Sequence, residues 1–238
     1  MQKISEKIQV DNYHNEKPAY FNIYENCIIS NQLKKNLIWE KHLHDVFIEF
    51  ITPNSIVIEG GCHIGSHTIK LGMLAKHVYA FEPMKSSYNL LDQNIKNNEL
   101  KNITLFEKGL SNTFGRTYFE WTIKGNPGGS GLSNNPMGKP SWSNEETDKY
   151  EIELITIDSL NLDKLDFIKL DIEGYEKLAI IGGIETIKKF KPVITLEVWC
   201  NHYGGVDMNF TKKNFKNLID IGYNVINIGG PDFLFIPK

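Results

Sequence analysis

The residues best suited to chemistry in this 238-residue chain are acidic, and they stand at the ends of apolar runs. The segment KLDIEGYE carries Lys169, Asp171 and Glu173. Glu59 follows Ile56-Val57-Ile58, Glu82 follows His77–Phe81, and Glu197 lies near the end of Val193–Val198. Carboxylates beside a weakly acidic hydroxyl can take its proton, orient it, or hold a divalent cation that lowers its pKa. Alternation along a strand places Lys169 and Asp171 on one side, with Glu173 following at the turn. Asp171 is expected to act as base or to orient the acceptor, Glu173 as a second carboxylate, and Lys169 as the cation that orients or neutralises them. The competing reading is a buried ion cluster that only holds the turn together.

Other groups compete for these roles. His202 in EVWCNHYGG is a second candidate base, since imidazole titrates near neutrality, and a surface-loop histidine is the alternative. Trp199 and Tyr203 beside it are candidate substrate-contacting aromatics. A magnesium ion on Asp171, Glu173 or Glu197 would need only one or two carboxylates plus water. His63 and His67, four apart, are in principle able to share a metal; a polar turn residue and an exposed helix residue explain them more simply. Cys62 has no thiolate-stabilising partner in the sequence and reads as a small packing residue.

A glycine turn gives the acidic residues a ligand to serve. IVIEGGCHIG reads as a buried strand, a tight turn and a helix start, with the spacing Glu59-x-Gly61-x-x-x-Gly65 and Gly60 extra. Ligands of open parallel sheets bind beyond the carboxyl ends of the strands, and an acidic residue ending the second strand accepts the two ribose hydroxyls of an adenosine. Glu82 has that place, with Pro83 and Met84 following to pack on adenine and Lys108-Gly109 at the next strand end. The phosphate-gripping patterns G-x-G-x-x-G and G-x-x-x-x-G-K-[ST] do not occur. A site ringed by carboxylates, in a chain with the single arginine Arg116, suits adenosine joined to a cationic sulfonium and ammonium. S-adenosylmethionine fits that description, with Glu59, Gly61, Gly65, Glu82, Pro83, Met84, Gly109 and Asp171 as its expected contacts.

Hydrophobic periodicity supplies the elements that must position these groups. The expected order is a strand at 56–58, a helix from about Ser66, a strand His77–Phe81, a helix Ser86–Asn98 and a strand Ile103–Glu107. Two strands, Arg116–Ile123 and Glu151–Ile157, flank a long irregular insert at 124–149, expected to be a substrate-side lid. A strand Asp166–Leu170, a helix Tyr175–Lys188, a strand Val193–Val198 and a helix Thr211–Ile221 follow. Asn224–Ile228 and Phe233–Ile236 then form a hairpin that their short connector makes antiparallel. The βαβ rhythm implies a parallel α/β sheet with right-handed crossovers. Residues 1–52 read as an N-terminal extension packed on the core, loosely attached over 1–18, with a short strand or hairpin at Ala19–Ile29 and a helix at Asn31–Ile51. Residues 53–238 are the main domain.

Composition narrows the function class. A net charge of −3 argues against a nucleic-acid surface. Cys27, Cys62 and Cys200, three and widely spaced, favour reduced thiols and a cytoplasmic protein. No run has the length of a membrane span, and the N-terminus lacks the apolar core of a signal peptide. The expected partner is a small-molecule or glycan acceptor, with neither nucleic acid nor membrane.

VIEGGCHIGSHTIKL, YAFEP, the Leu110-Ser111-Asn112 triplet, TIDSL, DFIKLDIEGYE and KPVITLEVW stand in the order seen in FkbM-type methyltransferases, which the chain resembles from about Val57 to Trp199. The resemblance implies a class I methyltransferase (Rossmann-like) fold, S-adenosylmethionine as cofactor, and O-methylation of a sugar or other small hydroxylated metabolite. Glu59 stands where the family more often has Asp, and His63 where it has Asn. A nicotinamide-dependent oxidoreductase, or a methyltransferase-like module that binds without turnover, are the alternatives; the former would require G-x-G-x-x-G and an all-parallel far edge.

Overall fold

The computed structural model describes residues 4–25, 27–123, 126–132, 151–200 and 205–238. The chain opens with β1 (Ile4–His14) and β2 (Lys17–Tyr24), then α1 (Ile28–Lys34) and α2 (Lys41–Phe50). The α/β rhythm starts with β3 (Ile56–Gly60), α3 (Thr68–Leu74), β4 (His77–Phe81), α4 (Lys85–Asn97) and β5 (Ile103–Phe106). After β6 (Gly109–Leu110), β7 (Gly115–Ile123), β8 (Asn126–Leu132) and β9 (Glu151–Ile155), it resumes with β10 (Phe167–Leu170), α5 (Glu176–Ile181), α6 (Ile184–Phe190) and β11 (Val193–Glu197). The last elements are α7 (Met208–Asn214), α8 (Lys216–Asp220), β12 (Tyr223–Gly229) and β13 (Asp232–Pro237).

Seven strands form the main sheet in the order β12-β13-β11-β10-β3-β4-β5. The pairs from β11 to β5 are parallel, whereas β13 runs antiparallel to both β11 and β12. This is the mixed α/β arrangement expected of a class I methyltransferase, not the all-parallel edge of a dinucleotide-binding dehydrogenase. Parallel strands buried on both faces read as continuous apolar runs, and all four residues of β10 are buried. Strand alternation assigns Val57 and Phe167 to one core, with α2, α3, α4 and the N-terminal hairpin. Ile58 and Ile168 join the other, with α5, α6 and the C-terminal hairpin. Glu59 and Lys169 are directly paired in register. They share the face of Val57 and Phe167, so two opposite charges meet inside the sheet.

The N-terminal segment departs from expectation most. Residues 4–14, expected to be loose, are a strand paired with β2, and Val10, Tyr13, Phe21 and Ile23 are fully buried in the first core. Two asparagines one helical turn apart, Asn94 on α4 and Asn98 at its C-cap, complete the edge of β2. The Asn94 amide accepts from Asn22 N–H at 2.6 Å and donates to Asn22 C=O at 3.0 Å; Asn98 does the same for Tyr20 at 2.9 and 2.7 Å. Paired side-chain amides thus satisfy backbone groups that an edge strand leaves open.

Three helices expected to be continuous are broken. Asn31–Ile51 divides between α1 and α2, with Asn36 at φ 60° and Glu40 at φ 44° in the left-handed region. Tyr175–Lys188 divides at Gly182-Gly183, where a Cβ on Gly182 would lie 2.0 Å from the Ser111 carbonyl oxygen. Thr211–Ile221 becomes α7 and α8, the first beginning at Met208 and capped by Asp207, whose carboxylate accepts from Phe210 N–H at 2.5 Å. The helix expected from Ser66 begins at Thr68. Beside the main sheet, β6-β9-β7-β8 form a second one, and β8 lies in the stretch expected to be irregular. The rest of the expected lid, 124–125 and 133–149, lies outside the described residues. Among these, no helix is long and apolar enough to cross a membrane.

Candidate active site

A cavity of about 220 Å³ opens where the carboxyl ends of β3, β4 and β10 meet. Of the residues expected to bind cofactor, Gly61, Glu82, Pro83, Met84, Gly109 and Asp171 line it; Lys169, Glu173 and Glu197 line it too. Glu59 and Gly65 do not: Glu59 is wholly buried behind the wall, and Gly65 packs so closely on α4 that a Cβ would lie 2.5 Å from Leu91. Trp199 is likewise absent from the lining, and His202 and Tyr203 lie outside the described residues.

The β3 turn and the β4 end form one wall. Gly61 has φ +78°, and a Cβ there would stand 1.6 Å from the Asp171 carbonyl oxygen, so only glycine lets the β10 turn approach. The Glu82 carboxylate is clamped by two backbone amides: His63 N–H donates to Oε2 at 2.7 Å and Met84 N–H to Oε1 at 2.8 Å. Burial raises its pKa to about 7, against the lowering effect of those two bonds. His63 adopts φ 49° and buries its ring against Tyr24, the ring centroids 5.9 Å apart. Burial lowers its pKa to about 4, which keeps it neutral at pH 7, and neither ring nitrogen has a hydrogen-bond partner among the described residues. Cys62 is buried, and burial raises its thiol pKa well above the ordinary value, as a packing residue requires.

The β10 end forms the opposite, charged wall. Lys169 Nζ lies 3.2 Å from Asp171 Oδ2. Burial alone would lower the Lys169 pKa, but Asp171, Glu59 and Glu40 together raise it. For Asp171 burial pushes upward, and Lys169 overrides it and holds the carboxyl below its usual range. Neither Glu59 oxygen has a hydrogen-bond partner among the described residues; burial raises its pKa and Lys169 opposes the rise. Glu173, at φ 54°, and Glu197 are both raised well above the ordinary range, first by burial and then by Asp171. Oxygens of Asp171, Glu173 and Glu197 all lie within 4.8 Å of one another, a spacing a divalent cation can bridge. Glu176 holds the turn itself, its Oε1 accepting from Ile172 N–H at 2.7 Å and Gly174 N–H at 3.3 Å.

Two lining residues had no signal in the sequence. Trp39 and Glu40 lie between α1 and α2, in a stretch that reads as continuous helix, and both reach the cavity. Glu40 Oε2 lies 2.9 Å from His67 Nε2. His67 is 3% exposed, not the exposed helix residue its position suggests. Its nearest aromatic neighbours, His44 and Phe47, come from α2, and no local pattern announces that contact.

The methyltransferase FkbM domain model matches residues 60–221. A crystal structure of methyltransferase FkbM from Methylobacillus flagellatus KT aligns with a TM-score of 0.53 at 16% identity, over 81% of this chain and 50% of that one. The present chain therefore spans about half the length of that protein. An rRNA methylase from Streptococcus thermophilus aligns at TM-score 0.45 and 15% identity, over 81% of this chain and 91% of its own. A Streptococcus mutans protein solved in complex with SAH gives 0.45 and 15%, over 82% and 94%. No curated protein matches. The matched domain covers most of the chain, including the glycine turn, Glu82 and the whole KLDIEG segment, and the chain belongs to the FkbM methyltransferase family.

Proposed function

We propose that this protein is an S-adenosylmethionine-dependent O-methyltransferase whose acceptor is a sugar hydroxyl, on a glycan or a nucleotide sugar. The observation that carries the donor assignment is Glu82, a carboxylate clamped by two backbone amides at the end of the second strand and lining the cavity. Two carboxylate oxygens held in a fixed plane match the two hydroxyls of a ribose. Gly61 lets the β10 turn close on the β3 turn and bring Asp171 to the cavity, and the His63 ring nitrogens, unpartnered among the described residues, leave polar capacity for a ligand. The residues present therefore fit an adenosine ligand with a cationic end.

S-adenosylmethionine, when bound, supplies an electrophilic methyl group. The chain's task is then to hold an acceptor oxygen in line with that group and to manage its proton. Asp171, kept ionised by Lys169, suits the orienting half of its expected role, accepting a hydrogen bond from the acceptor. Trp39 is an aromatic surface in the cavity suited to a sugar face. Asp171, Glu173 and Glu197 are the carboxylates a divalent cation would use.

Calorimetry with S-adenosylhomocysteine and with NAD tests the donor assignment: the first is expected to bind and the second not, and binding of NAD alone would overturn it. Turnover of labelled S-adenosylmethionine with nucleotide sugars, with and without chelator, tests the acceptor class and the cation. Methylation of none of them, by protein that binds the donor product, would remove the sugar reading.

A further inference from the structure

We propose that Glu40, supplied by the segment ahead of the matched family domain, is the proton acceptor for the hydroxyl that is methylated. The inference rests on the O-methyltransferase reading above and extends it to a residue outside 60–221. Glu40 lines the same cavity as Asp171. It stands at the start of α2 in a left-handed conformation, φ 44° and ψ 57°, that an L-residue adopts only at a cost. Its Oε2 is held 2.9 Å from Nε2 of His67, whose Nδ1 has no partner among the described residues. Burial keeps His67 neutral, so the imidazole orients the carboxylate without neutralising it.

The other carboxylates in the cavity are worse placed for this task. Asp171 is tied to Lys169 at 3.2 Å, which makes it a weak base. Glu173 and Glu197 crowd Asp171 and one another, which favours a shared proton or cation over free exchange. Glu40 is raised to about 7 by burial and then by Asp171, with Lys169, His42 and Trp39 opposing. Asp232, bonded to His42 at 2.7 Å, is the remaining charged group that acts on it. A base whose pKa sits near the operating pH is the most effective one. In the step, the acceptor O–H bond breaks and its proton passes to the Glu40 carboxylate. The oxygen's electron pair forms the bond to the methyl carbon while the carbon–sulfur pair leaves with sulfur. The products are a methyl ether, neutral Glu40 and the uncharged thioether.

The competing role is mechanical: Glu40 would fasten the extension to α3 through His67 and do nothing else. Glu40→Gln keeps the size and a bond to His67 but cannot take the proton. Its turnover on a probe set of UDP-glucose and methyl α-glucoside is expected to fall on the order of 100-fold or more. Its affinity for S-adenosylhomocysteine is expected to stay within about threefold, with little change in thermal unfolding, since only the transition state loses an interaction. Infrared difference titration, wild type against Glu40→Gln, is expected to show one carboxyl that titrates near neutrality in the wild type only. Unchanged turnover, a joint fall of turnover, donor-product affinity and thermal stability, or no such carboxyl would each overturn the proposal. If wild type binds S-adenosylhomocysteine but methylates neither probe, the sugar reading has failed and the infrared result decides Glu40 by itself. If it does not bind at all, the donor reading has failed.

Discussion

The two ends of the cavity are built by different means. At the end assigned to the methyl donor, the working parts are backbone: the Gly61 turn, and two amides clamping Glu82, from residues 61 to 84. At the end assigned to the acceptor, they are carboxylates brought from three distant segments, Glu40, the Asp171–Glu173 turn and Glu197. The donor end is a local structure that any chain with the same short pattern can repeat. The acceptor end is a tertiary convergence, and it includes a residue from outside the family domain.

Lys169 joins the two ends, paired in register with Glu59 on one side and bonded to Asp171 on the other. Lys169→Met should therefore have the largest effect, leaving the buried Glu59 and the half-buried Asp171 without their cation. Removing one partner of a buried ion pair costs about 3–5 kcal/mol, read by urea unfolding. A loss under about 1 kcal/mol would mean that the ends are not coupled through this residue.

Gly61→Ala attacks the donor end where it meets the β10 turn. With φ +78° and a Cβ 1.6 Å from the Asp171 carbonyl, the turn must move away from β10. A cost of at least about 3 kcal/mol is expected, with loss of S-adenosylhomocysteine binding by calorimetry. Binding at wild-type strength would show that the turn does not shape the donor site.

The smallest effect is expected from Glu82→Gln, which replaces one of two acceptor oxygens with a donor facing a backbone N–H. An unmade buried bond of this kind costs about 1–3 kcal/mol, so S-adenosylhomocysteine should bind roughly tenfold more weakly. Its pH dependence is a sharper check. The native pKa is raised by burial from 4.5 to about 7, so between those values the folded state holds the proton more firmly than the unfolded state. The stability contributed by this group is full below about 4.5 and is lost as pH rises through about 7. The unfolding free energy of wild type relative to the variant should therefore decline from pH 5 to pH 8. A rising difference would show that Glu82 is stabilised as the anion.

Much of the frame was legible before any coordinates. The five parallel strands and the C-terminal hairpin follow from apolar runs punctuated by glycine, proline and asparagine, because strand burial and turn chemistry are local properties. Gly61, Glu82 and Asp171 were legible for the same reason, each being defined by its place at a strand end. The strand β1 was not, because it is held by pairing with β2 and its buried residues meet a core gathered from both the N-terminal segment and the main domain. The helix breaks at Asn36–Glu40 and at Gly182 were hidden because they answer to distant backbone, the Ser111 carbonyl in the second case.

The sequence by itself determined the succession of strands along the chain, the glycine turn and the carboxylates at the strand ends, since each depends on residues within a few positions of one another. Only the tertiary structure decided that Glu59 lies behind the cavity wall while Glu40 stands in it. Burial and electrostatic neighbourhood depend on which remote segments pack together, and Glu40 and His67, 27 positions apart, carry no local trace of that contact.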